Sequence, residues 1–154
     1  MGIRYTILPV ASHPDLVSWL KKYKIDIPPL PENNRYPSLQ EIKGVLDNLE
    51  GYQVTYEIDR QHWRAHVVSN QSPQRKWAKL HVTDVPENEQ SPQDFWFEQG
   101  DPGVNLLILQ RLSHTCGPLI MSADANAVPI LVTADSDISQ VLADWYERQL
   151  ASWR

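Results

Sequence analysis

The sequence predicts a single α+β domain spanning residues 1–154, a mostly antiparallel sheet with helices packed on one face. Three observations predict it. The middle of the chain changes its apolar period from 3.6 to 2 and keeps it through successive segments. The connections between those segments are short and polar, as in an antiparallel meander. Helical periodicity with readable starts and stops occupies the segments on either side, giving the order strand–helix–helix–meander–helix–hairpin–helix.

Residues 3–10 read as a first strand, rich in β-branched residues and closed by Pro9. Ser12-His-Pro-Asp15 reads as a helix start, with Ser12 or His13 as N-cap, Pro14 in the first turn and Asp15 at the positive end. Leu16, Trp19, Leu20 and Tyr23 then recur at helical spacing. Residues 26–37 contain Pro28, Pro29, Pro31 and Pro37, which dictate an extended connection. Pro28-Pro-Leu-Pro31 also has the composition of a groove-docking polyproline segment, but stiffening of a crossing loop is the favoured role. Ser38-Leu-Gln-Glu41 is a capping box. Its helix carries the stripe Leu39, Ile42, Leu46 and Leu49, with Gly51 as the expected stop.

The meander follows. Tyr52, Val54, Tyr56 and Ile58 share one face of the first strand; Trp63, Ala65 and Val67 that of the next; Ala78, Leu80 and Val82 that of the third; Phe95 and Phe97 begin a fourth. The loop 86–92 is polar and acidic. Residues 94–132 are the most apolar stretch and are expected to build the core. Within them Asp101-Pro102 caps a helix that Gly117 ends, and a hairpin follows with its turn at Asp124-Ala-Asn126. A final helix from about Ser136 is expected to bury Ile138, Val141, Leu142, Trp145 and Leu150.

Composition excludes several function classes. The chain carries 42% apolar and 21% charged residues, which suits an ordinary globular domain. Its single cysteine, Cys116, cannot form an internal disulfide, so nothing points to an oxidising compartment. No apolar run reaches the length of a membrane span or a signal peptide, and a cytoplasmic protein with no membrane association is expected. Met1-Gly2 raises N-myristoylation, but the residues that follow form a strand. The formal net charge is −5, and Lys21, Lys22 and Lys24 are the one basic cluster, so nucleic-acid binding is not expected. An acidic surface matches a basic protein partner.

No catalytic constellation stands out, and no cofactor or metal is expected. Cys116 and His114 fall in the last turn of a helix, whose dipole disfavours a thiolate, and residues two apart diverge, so Cys116 reads as a core cysteine. His62, His66 and His81 fall on the polar face of the meander with Glu57, Arg64 and Lys79 nearby. Residues four apart on a strand lie roughly 13 Å from each other, and a solvated face is the favoured reading. His66 is the histidine chosen as a contact residue, and His66 and His81 meet only if register allows. Asp124-Ala-Asn126 begins like a calcium loop, but Pro129 stands where glycine is required. No phosphate-cradling glycine loop, nucleophile elbow or zinc-protease motif is present. Trp77 and Trp96 alternate with core positions and should point outward, near Arg64 and Lys79, like the anchors of a binding hot spot.

Two segments, Ile27-Pro-Pro-Leu-Pro through Arg35-Tyr-Pro-Ser-Leu-Gln-Glu-Ile42 and Phe95-Trp-Phe-Glu-Gln-Gly100 through Leu112 to Gly117, resemble small uncharacterised bacterial α+β families, including some immunity proteins of polymorphic toxin systems. About half the chain is covered. The resemblance implies a non-enzymatic, partner-binding protein and assigns no residue a role.

The leading expectation is a non-catalytic protein-binding module. It presents the outer sheet face (Trp77, Trp96, Arg64, Lys79, His66) together with the acidic loop 86–92. The alternative is a small-ligand binder or enzyme using His62, His66, His81 and Glu57. A third reading makes the tryptophan face a homodimer contact.

Overall fold

The structure is a computed structural model that describes residues 3–71, 76–123 and 127–153. The turn expected at Asp124-Ala-Asn126 lies outside the described residues. In chain order the elements are β1 (Arg4–Pro9), α1 (Asp15–Lys22), α2 (Leu39–Asp47), β2 (Tyr52–Asp59), β3 (His62–Ser69), β4 (Trp77–Val82), β5 (Trp96–Glu98), α3 (Pro102–Cys116), β6 (Leu119–Ser122), β7 (Ile130–Val132) and α4 (Ile138–Ser152). The strands form one seven-stranded sheet in the order β2-β3-β4-β5-β1-β6-β7, with antiparallel pairing throughout. This is the expected α+β architecture. The N-terminal strand closes the meander by inserting between β5 and β6. Among the described residues no helix is long and apolar enough to cross a membrane.

Period-2 alternation sends Ile7, Trp63, Ala65, Val67, Leu80, Val82, Phe97 and Met121 to one face, where α2, α3 and α4 cover them. α3 lies in the middle of this layer, touching both other helices and the strands below. It therefore buries residues around most of its circumference. The opposite, outer face has two halves. Leu8, Ile120 and Leu131 form one cross-strand row on β1, β6 and β7, and α1 covers it with Leu16 and Leu20 in a second, smaller core. Among the described residues no helix covers the β2–β5 half in this way.

The caps follow the sequence closely. Ser38 and Glu41 complete both arms of the capping box, and the Asp101 carboxylate accepts from Val104 N–H. Three details differ. Ser12 is spent donating back to the Pro9 carbonyl (2.7 Å), so α1 begins after Pro14, and the His13 ring accepts the Asp15 N–H (3.1 Å). α2 ends at Asn48, and Gly51, at φ +84°, serves the turn into β2 instead. Leu150, expected in the core, is 52% exposed, and Trp145 is the side chain that α4 buries.

The proline segment is a structural seam. The Asn34 side chain accepts from Ala11 N–H (2.7 Å) and donates to the Cys116 and Pro118 carbonyls (2.8 and 3.0 Å). Arg35 grips Glu41 with both guanidinium nitrogens (2.7 and 3.0 Å). Gly117 sits at φ +76° under this seam, where a Cβ would lie 2.8 Å from Pro31. Cys116 is fully buried. Its thiol is pushed up to about 11, first by burial and then by the Glu41 carboxylate, the same direction as the dipole argument made from sequence.

Candidate functional site

The uncovered half of the outer face gathers its side chains in cross-strand rows. One row runs Glu57, Arg64, His81, Trp96, Thr6, each residue opposite the next on neighbouring strands. Beside it lie Thr55, His66 and Lys79, and beyond these Val68 opposite Trp77. All five sequence-predicted contact residues, Trp77, Trp96, Arg64, Lys79 and His66, share this face.

Register decides which of them touch. His66 lies opposite Lys79 and His81 opposite Arg64, so the contemplated His66–His81 meeting does not occur. His62 meets His81 instead: Nε2 of His62 lies 2.8 Å from Nδ1 of His81. His81 is 3% exposed, so this histidine leaves the solvated face expected of it. Trp96 stacks flat on its ring at 4.0 Å. The Arg4 guanidinium lies 4.2 Å from the Trp96 ring centre. A ring has two faces, and these two neighbours use both. Trp96 also donates its indole N–H to Thr83 (3.3 Å). It is thus the filling of a stack running Arg4–Trp96–His81–His62, and presents mainly its edge.

Burial holds His81 well below the ordinary histidine range, at about 4. The Glu98 carboxylate opposes this, and His62, Lys79 and Arg64 add to it. The ring is therefore neutral at neutral pH. Glu98 Oε1 lies 3.3 Å from His81 Nε2 without the alignment of a hydrogen bond. That carboxylate favours a proton on Nε2, which makes Nδ1 the acceptor from His62. Arg64 reaches Glu57 at 3.4 Å, while its buried Nε has no hydrogen-bond partner. Glu57 is spent on Arg64 and His66 faces Trp77 edge-on at 6.0 Å, so neither joins the histidine pair. Among the described residues no three His, Cys, Asp or Glu groups converge in a way that could hold a metal ion.

Next to the stack is an open concavity of about 540 Å³ lined by His66, Val68, Trp77, Lys79 and Glu98. Trp77 and Val68 give it an apolar floor, and Lys79 and Glu98, 3.6 Å apart, give it a charged wall. Its backbone is held from behind. Gly100, at φ +86°, lets the chain turn hard against β4, where a Cβ would meet the Trp77 carbonyl at 2.8 Å. Asp101 N–H donates to that same carbonyl at 2.8 Å. Apolar floor, ionic rim and rigid backing suit insertion of a partner's side chain. They supply no aligned nucleophile and base.

Arg4 and Glu98 complete this site and were missed from sequence. Alternation marks both as outward, since Arg4 precedes core Tyr5 and Glu98 follows core Phe97. What was hidden is that β1 lies beside β5. The acidic loop 86–92 does not join the face. Gln40 N–H donates to the Glu89 carbonyl (3.0 Å) and Lys43 pairs with the Glu89 carboxylate, which ties the loop to the start of α2 in the layer covering the other face. No protein-family model, curated protein or solved structure matches this chain.

Proposed function

We propose that this protein is a non-catalytic binding module whose uncovered outer sheet face, over β2 to β5, captures a protein partner, as an immunity-type protein would. One observation carries the reading: an open concavity floored by Trp77 and Val68 lies on the half of the face that no helix covers. A half-buried tryptophan beside balanced charges is the usual make-up of an interface anchor. Trp77 is the anchor and takes an apolar or aromatic side chain. Lys79, Glu98 and His66 form the polar rim. Trp96 and Arg64 support the floor from the stack.

The net charge of −5 draws a basic partner at long range. The contact face is different: Arg4, Arg64 and Lys79 are balanced there by Glu57, Asp59 and Glu98, so a partner's neutral side chains meet it best. The test is capture of a partner from native lysate by the immobilised protein, followed by titration with that partner purified. Trp77→Ala and Lys79→Glu each weaken binding about tenfold or more, with the thermal midpoint nearly unchanged. A partner held equally by both variants would end the proposal.

The His62–His81 contact favours a second reading, a small-ligand or acid–base site. It is the weaker of the two, because His81 is neutral and walled in by Trp96 and His62. His62→Ala separates them: it spares partner capture on the first reading and abolishes activity on the second.

A further inference from the structure

The two edges of the sheet are built differently. β7 is three residues long, follows Pro129, and lies against α4. β2 is eight residues long and pairs with β3 in unbroken register from Tyr52 to Asp59. Among the described residues nothing pairs with its other side. It has no proline, no lysine and no bulge, and of the devices that usually block an open edge it carries only the carboxylates of Glu57 and Asp59 near its end. It also ends in exposed apolar surface, with Tyr56 at 40% and Ile58 at 64% exposure.

We infer that β2 is a self-association edge, and that a second copy of this chain pairs with it antiparallel about a two-fold axis at Thr55 or Tyr56. Self-pairing is compatible with the charge placement on β2, which limits the register. With the axis at Thr55, Glu57 lies opposite Gln53, Ile58 opposite Tyr52, and Val54 opposite Tyr56. With the axis at Tyr56, Glu57 lies opposite Thr55, Asp59 opposite Gln53, and Ile58 opposite Val54. Either arrangement sets the acids of one copy against neutral residues of the other and pairs the apolar residues on the same face. An axis at Glu57 would set that carboxylate against its own copy, and an axis at Ile58 would set Glu57 against Asp59. Both axes that avoid this extend one continuous sheet across two chains while leaving the Trp77 concavity open. The inference is thus independent of the partner-binding reading.

One strand pair is a small interface, so the dimer belongs to the weak, concentration-dependent class. Sedimentation velocity from about 1 to about 500 μM tests it. The wild-type chain shifts from monomer to dimer, and Ile58→Lys stays monomeric with an unchanged thermal midpoint. Register is read by oxidative cross-linking. Either Thr55→Cys or Tyr56→Cys forms a disulfide dimer, because the residue on the axis meets its own copy at disulfide distance. Ile58→Cys does not, since its two copies lie roughly 13 Å or more apart. Buried Cys116 does not compete. A monomer across the whole range overturns the inference. So does a dimer that Ile58→Lys leaves intact and neither cysteine variant traps, which would move the contact to the tryptophan face.

Discussion

The two halves of the outer sheet face are made from the same strand chemistry and finished in opposite ways. On β1, β6 and β7 the outward residues Leu8, Ile120 and Leu131 are apolar, and α1 closes over them. On β2 to β5 the outward residues are mostly charged, polar or aromatic, and the face stays open. The covered half stores stability. The open half spends its ionic and aromatic contacts on holding a surface in shape, with Trp96 clamped between Arg4 and His81.

Substitution on the covered half breaks that contrast most severely. Leu20, on the inner side of α1, is fully buried against the sheet. Leu20→Ala removes the centre of the smaller core and costs about 2–4 kcal/mol, read as a fall in the denaturation midpoint with the slope unchanged.

Acid acts on the open half. His81 titrates near 4 in the folded chain, against the ordinary value of 6.5 in the unfolded one. The unfolded state therefore binds more protons between those values. The contribution is complete above the unfolded value and is lost as pH falls toward 4, on the order of 3 kcal/mol. Denaturant melts across that window follow the slope, and His81→Phe flattens it. Glu41 acts lower. Arg35 holds its carboxyl below the ordinary 4.5, so its share is present above that value and lost as pH falls through the lowered folded one. Glu41→Ala also removes one arm of the capping box, and at neutral pH costs about 1–2 kcal/mol. Its salt dependence is weak because the pair is bidentate and half-buried.

The contrast explains what the sequence could and could not disclose. Local signals were sufficient for the elements: Ser38 and Glu41, Asp101 and Gly117, and the alternation from Tyr52 onward each act within a few residues. Alternation also placed Trp77, Trp96, Arg64, Lys79 and His66 on one face, because parity needs no knowledge of neighbours. Contacts were not legible. Which histidine meets which depends on the β3–β4 register, and Arg4 reaches Trp96 only because β1 inserts beside β5. His81 looked solvated by parity, yet an aromatic neighbour on the next strand buries it. The same limit applied to α1: its stripe of Leu16 and Leu20 marked a buried face without saying which side of the sheet it would cover.

The smallest expected effect sharpens the comparison furthest. Trp77 is half-buried, touches His66 edge-on, and rests on a backbone that Gly100 and Asp101 already fix. Removing its ring leaves an open concavity that water fills at little cost, unlike the sealed space left by Leu20→Ala. Trp77→Ala therefore destabilises by less than about 1 kcal/mol, although it deletes a far larger side chain than Leu20→Ala does. Paired melts of the two variants give the ratio directly. A loss at Trp77 equal to that at Leu20 would mean the ring supports the core, and the open half would then have no claim to be a surface kept for binding.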